Sequence, residues 1–276
     1  MIRIILAGIL GIPCFLVWVA TAPIIAVLSI PSLLLLIFRK EDKAISSSAA
    51  GGASKACHVI VFGGSKGIGL AIAKECASKK DFGKNLKITI VARNKETLEK
   101  AKRDISSLVP DGATTSVEAF SASVSDYAAL ESLAQKIIIP QERTILFNCA
   151  GIPYTLEYDK IPIDVYQKLC QTNLLGSMYI SRAFLPHMEE GCIILCSSVV
   201  GQVGTYGYTA YAPTKFALRG FAEALHLELL KSKPGVSIKV AFPVDTDTPG
   251  YAEELKTMPE LTKILNDAAG LSKPEE

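Results

Sequence analysis

The sequence predicts a doubly wound α/β fold, a parallel sheet covered by helices on both faces. Three observations predict it. Residues 58–62 form a short β-branched, apolar run, and Gly63-Gly64-Ser65-Lys66-Gly67-Ile68-Gly69 leads from it into apolar residues of helical period, Ile68, Ile72, Ala73 and Cys76. Strand-like runs then alternate with helix-like segments as far as residue 242, and such alternation with right-handed crossovers makes a parallel sheet. Lastly, the motifs with chemical content fall just beyond the carboxyl ends of the strands, where sheets of this kind bind ligands.

The elements follow in order. After the first strand, glycine turn and helix, 87–92 is the second strand, 95–108 a helix, 115–121 the third strand and 126–137 a helix. The fourth strand, 144–148, ends in Asn148-Cys149-Ala150-Gly151; a long helix covers 163–188, and 192–197 is the fifth strand. A helix over 211–231 and a sixth strand over 237–242 complete the alternation. Short β-branched or apolar runs bounded by turn residues read as strands, and longer stretches of 3.6-residue period as helices.

Composition bounds the class. A formal net charge of +2 offers no electrostatic footprint for nucleic acid. The 7 cysteines contain no C-x-x-C pair or metal-ligand cluster and read as reduced, buried thiols. Residues 4–38 carry no charged side chain, and Arg39, Lys40 and Lys43 follow closely. This run is too long for an ordinary signal core and reads as a retained membrane anchor over 1–38. Pro13, Pro23 and Pro31 interrupt it, leaving one kinked span or a re-entrant hairpin as alternatives. The basic residues after the run favour a domain on the cytoplasmic side. A Ser/Ala/Gly-rich linker, within 39–56, leads to a catalytic domain over 57–276.

The chemistry begins with Tyr211-Ala-Pro-Thr-Lys215, which places a phenol and an ammonium on one helix face. A cation there is expected to lower the phenol pKa from about 10 towards neutrality. Ser198, at the end of the fifth strand, can hold a carbonyl or hydroxyl beside that phenol. The glycine turn suits a dinucleotide: its glycines let backbone N–H groups approach a pyrophosphate, and the helix N-terminus adds partial positive charge. The second strand ends Val91-Ala92-Arg93-Asn94, with no carboxylate for a ribose 2′-OH. Arg93 and Lys66 suit a 2′-phosphate instead, so NADPH/NADP is the expected cofactor. No metal site is expected.

The G-x-x-x-G-x-G spacing, Asn148-Cys149-Ala150-Gly151, Ser198 and Tyr211/Lys215 together resemble the short-chain dehydrogenase/reductase family over roughly residues 57–250. The resemblance implies a Rossmann-like domain in which Gly63, Ser65, Lys66, Gly67, Ile68, Gly69, Arg93, Asn148, Ala150, Gly151, Tyr211, Lys215 and Pro243 bind the dinucleotide. It implies that Thr246 or Thr248 meets the nicotinamide carboxamide. It also implies Ser198, Tyr211, Lys215 and Asn173 as the catalytic set, Asn173 supporting a water relay to the lysine. Ser123 stands where many members carry an adenine-contacting Asp, which makes that contact weaker.

Asp245-Thr246-Asp247-Thr248-Pro249-Gly250, with the residues flanking Tyr211 and Lys215, is similar to the 3-ketodihydrosphingosine reductase group of that family. That likeness implies reduction of a long-chain keto-amine at the cytosolic face of the endoplasmic reticulum, with a membrane-resident lipid as substrate. Asp245 or Asp247 is a candidate partner for its ammonium. Another membrane-bound lipid-ketone reductase, or an inactive shortened form, is the alternative. Nothing beyond Leu255 reads as the last helix and strand of the family, so a bare sheet edge, or one covered in a homo-oligomer, is expected.

Overall fold

The computed structural model describes residues 56–79 and 85–274. The expected anchor, 1–38, and all of the linker except Ala56 lie outside the described residues. Among the described residues no helix is long and apolar enough to cross a membrane.

The chain alternates as the sequence predicts: β1 Cys57–Phe62, α1 Gly67–Ser78, β2 Asn85–Ala92, α2 Lys95–Ser106, β3 Thr114–Ser121, α3 Tyr127–Ile137 and β4 Arg143–Asn148. Asp126 is the cap of α3 and not its first residue, its carboxylate accepting from the Ala129 N–H at 3.0 Å. The rest runs α4 Ile163–Leu169, α5 Gly176–Phe184, β5 Gly191–Cys196, α6 Tyr211–Ser232 and β6 Val236–Ala241.

All pairings are parallel, in the order β3-β2-β1-β4-β5-β6. The direction of winding reverses between β1 and β4, and the crevice beyond their carboxyl ends is the natural ligand position. Period-two alternation divides β1 between two cores. Val59 and Val61 join Ile88, Phe147, Ile72 and Leu98 on one face. Ile60 and Phe62 join Leu146, Leu130, Phe184 and Leu218 on the other. Phe62 meets Phe184 edge to face, with ring centroids 5.4 Å apart.

Three differences from the sequence reading have physical causes. The single helix expected over 163–188 is interrupted by a π-helical turn, Cys170–Leu175, and ends in a 3₁₀ turn at Leu185–His187, where Pro186 lacks the N–H a continuing helix needs. Beyond β6 come two helices that the sequence reading does not include: α7 Pro249–Glu254, capped by Thr248, and α8 Glu260–Ala269, although Leu261, Ile264 and Leu265 carry a helical period in the second. From α8 the chain reaches an isolated parallel bridge, Ser272 with Thr246, which ties it to the loop after β6. Among the described strands β6 is the edge of the sheet, with its residues buried or half-buried.

Candidate active site

The glycine turn is shaped by close backbone approach. A Cβ at Gly63 would lie 2.8 Å from the Cys149 carbonyl carbon, and one at Gly69 2.5 Å from the Gly63 oxygen. Gly67 has φ 53°, in the left-handed region that glycine tolerates. The N-terminus of α1 has no side-chain cap, so its first-turn N–H groups stay available. Across the crevice, Asn148 turns the end of β4: its side chain donates to Ser177 at 2.8 Å and accepts from Ala150 N at 3.2 Å. Asn148 is therefore spent on shaping the Cys149–Ala150–Gly151 wall and is not on the cleft surface itself.

That wall, the glycine turn, Arg93, Ser123, Ser198, Tyr211, Lys215 and the loop after β6 enclose one cleft of ≈ 680 Å³. The long loop over 197–210 returns the chain so that α6 starts at Tyr211, above the strand ends. The Tyr211 and Ser198 hydroxyls lie close enough for the serine to favour the phenolate. Lys215 is buried, its Nζ 5.5 Å from the Tyr211 ring centroid and donating to the Cys196 carbonyl at 2.9 Å. Asn173 sits in the π turn, where its side chain accepts from Ile152 N at 2.9 Å and donates to Ile152 O at 3.0 Å. A Cβ on Gly151 would stand 3.2 Å from Asn173 Oδ1 and 3.6 Å from Lys215 Nζ, so Asn173 and the ammonium meet behind that glycine.

The electrostatics revise one expectation. Burial, then the carboxylate of Glu254 and the Cys196 thiol, push the Tyr211 phenol up, and the Ser198 hydroxyl only partly opposes them. The sequence expectation of a lowered phenol counted Lys215 alone, and burial outweighs it. Lys215 is itself drawn down by burial, with Cys196 and Cys149 opposing. Cys149 and Cys196 lie on adjacent strand ends. The neighbouring Cys149 thiol, helped by Lys215, draws Cys196 down against its burial, while Cys149 is pushed up. All six described cysteines are free, and Cys170 is exposed, contrary to the expectation of uniform burial.

In the loop after β6 the structure separates residues the sequence left equivalent. Asp245 lines the cleft and Asp247 is exposed outside it. Thr246 and Thr248 both line it; the first donates to Val244 O at 2.8 Å, and the second caps α7 and would touch a Cβ on Gly67 at 3.2 Å. Ser65, Lys66, Ile68 and Pro243 are on the wall as well. Several wall residues escape the sequence reading, Tyr208 and Glu254 among them. Tyr208 has its ring 6.0 Å from that of Tyr211, and Glu254 is buried beside it. The only cue was Tyr208 lying three residues before Tyr211.

The short chain dehydrogenase family model matches residues 57–259. The chain belongs to the short-chain dehydrogenase family. This short-chain dehydrogenase is similar to the 3-dehydrosphinganine reductase of Danio rerio, 42% identical over 227 residues, covering 79% of this chain and 65% of that protein. It is similar to the 3-ketodihydrosphingosine reductase of Mus musculus to the same degree, 42% over 227 residues, with 79% and 65% covered. Retinol dehydrogenase 8 of Homo sapiens is 32% identical over 199 residues, 70% of this chain and 60% of that protein. The matched region thus spans about 65% of the length of the first two relatives. Among solved structures, an actinorhodin polyketide ketoreductase with NADPH shares the fold at TM-score 0.67 and 21% identity, with 80% of this chain and 86% of that one covered.

Proposed function

We propose that this short-chain dehydrogenase reduces the ketone of 3-ketodihydrosphingosine to dihydrosphingosine with NADPH, in sphingolipid synthesis. The observation that carries the reading is the paired Ser198 and Tyr211 hydroxyls beside buried Lys215, at the mouth of a glycine-built cradle. The residues present fit the cofactor. Glycines that no side chain can replace and uncapped N–H groups of α1 suit a pyrophosphate. Exposed Lys66 and Arg93 on the same wall suit a 2′-phosphate. When bound, NADPH supplies the hydride that the carbonyl carbon accepts.

The chain's own residues do the rest. Ser198 donates a hydrogen bond to the carbonyl oxygen, and Tyr211 gives its proton to that oxygen as negative charge develops. A phenol held above its ordinary pKa keeps this proton until an alkoxide, a stronger base, is there to take it. Lys215 then steadies the phenolate that remains. Asn173, through its bonds to Ile152, fixes the loop that carries Gly151 beside that ammonium.

Leu255, Leu261, Ile264, Leu265 and Leu271 are exposed on α7, α8 and their flanks, next to the wall that carries Glu254. They fit a substrate with a long alkyl chain drawn from a bilayer. The uncharged run over 4–38 supports attachment to the endoplasmic reticulum membrane, with the catalytic domain towards the cytosol.

NADPH oxidation by the intact chain with 3-ketodihydrosphingosine, beside a Tyr211→Phe variant, tests the reading. The variant is expected to lose at least about 100-fold in rate, with NADPH still raising the melting temperature. Equal rates would reject the catalytic assignment. The likeness to a retinol dehydrogenase favours a second reading, a retinoid as substrate, and a retinoid arm in the same assay separates the two.

A further inference from the structure

Glu254 is only 9% exposed, yet it lines the cleft, and its Oε1 is buried without a hydrogen-bond partner. Its backbone carbonyl accepts from Thr155 at 3.2 Å. Its carboxyl group lies beside the Tyr208 hydroxyl, which accepts from Asn266 Nδ2 at 3.1 Å. The residue is thus anchored at its backbone and confined beside Tyr208 while one oxygen stays unsatisfied, an arrangement that costs stability unless something else meets it. The groups facing it are Tyr208, Tyr211, Tyr251 and Asp245, a second carboxylate on the same wall. Of the lysines that follow Glu254, Lys256 pairs with Glu253 and Lys263 with Glu260.

We propose that Glu254, seconded by Asp245, receives the ammonium of the substrate, so that the cleft selects ketones carrying a cation near the carbonyl. The inference rests on the ketoreductase reading above and adds a recognition site to it. A ketone oxygen held by Ser198 and Tyr211 leaves the neighbouring carbon on the side of Tyr208, whose ring stands 6.0 Å from that of Tyr211. An ammonium there meets the Glu254 carboxylate on the cleft wall and offsets the mutual repulsion of two carboxylates. Tyr208 and Asn266 position the acceptor, and Glu254 itself is the specificity-determining contact. Of the two aspartates in the loop, only Asp245 is placed to assist.

The test compares NADPH-dependent reduction of 3-ketodihydrosphingosine with that of its N-acetyl derivative, a neutral amide, in detergent. Wild type is expected to prefer the amine, and Glu254→Gln to lose roughly 30-fold in kcat/KM for it, mainly in KM, with a loss on the amide at least tenfold smaller. Asp245→Asn should shift the same ratio in the same direction by less. Because a variant can fold poorly, the wild-type pH profile supplies an independent arm. Burial raises the Glu254 carboxyl to about 7, so KM for the amine should climb as pH falls below that value, while KM for the amide stays flat. Equal losses on the two substrates, or parallel pH profiles, would overturn the ammonium site and leave the ketoreductase intact. No reduction of either substrate by wild type would overturn both.

Discussion

At the end of the cleft built by the glycine turn, the walls are backbone and the exposed charges are cations, Lys66 and Arg93. At the other end, the loop after β6 and α7 supply walls of side chains, and the charges are the carboxylates of Asp245, Glu253 and Glu254. The first end is rigid because substitution is sterically closed: Gly63 and Gly69 have no room for one more carbon. The second is held by single contacts between distant segments, Thr155 to Glu254, Asn266 to Tyr208 and Ser272 to the loop. Lys215 and Tyr211 lie between the two. A template of backbone amides suits a phosphate group of fixed shape, whereas a wall of side chains can be retuned for the ligand it meets.

Three experiments would break or sharpen that contrast. The largest effect belongs to Gly69→Ala, whose new methyl would lie 2.5 Å from the Gly63 carbonyl oxygen. Overpacking against backbone should cost about 1–3 kcal/mol. Calorimetry should register this as a fall of several degrees in Tm, and fluorescence titration a loss of NADPH affinity greater than tenfold. A variant that binds NADPH normally would show the cationic end to be no more rigid than the acidic one. Next comes Arg93→Asp, which replaces a donor to a 2′-phosphate with an acceptor for a ribose hydroxyl. Charge-assisted hydrogen bonds of about 1.5–3 kcal/mol imply a tenfold to hundredfold shift in kcat/KM ratio from NADPH towards NADH. An unchanged ratio would remove Arg93 from the cofactor site.

The smallest effect is on stability and separates the ends most sharply. Burial raises Glu254 from 4.5 to about 7, so the folded chain holds this proton more tightly than the unfolded chain does. Stability from such a group is fully present below pH 4.5 and is lost as pH rises through 7. Glu254→Gln should therefore raise Tm at pH 8 by roughly 5 °C, from about 2 kcal/mol, and leave it unchanged near pH 4. A lower Tm at pH 8 would mean that the carboxylate is a net stabiliser of the fold.

The two ends also differ in how much of them the residue string discloses. The glycine turn, Tyr211 with Lys215, and Ser198 are legible because each draws its meaning from neighbours within one strand end or one helical turn. The alternation of strands and helices is legible for the same reason, with ends displaced by a residue or two. Asp245 and Asp247 look alike in sequence, and only the bridge between Ser272 and Thr246 sets which of them faces inward. Glu254 follows another glutamate, and its burial depends on Tyr208 and Asn266, which lie far from it along the chain. The sequence expects the Tyr211 phenol to fall because a helix face reveals the ammonium four residues on, but neither the burial nor the Glu254 carboxylate that other segments bring to it.

The π turn between α4 and α5 has a consequence for insertion and deletion. A π-helical turn carries one residue more than an α-helical turn needs. Removing one position from 170 to 175 would let the two helices fuse into a single regular cylinder, with the faces on either side kept nearly in phase. Asn173 stands on that bulge, and without it the clasp on Ile152 that holds the strap carrying Gly151 would be lost. A lesion of a single codon, far from the phenol in sequence, would then disarm the centre without touching a residue that meets the substrate.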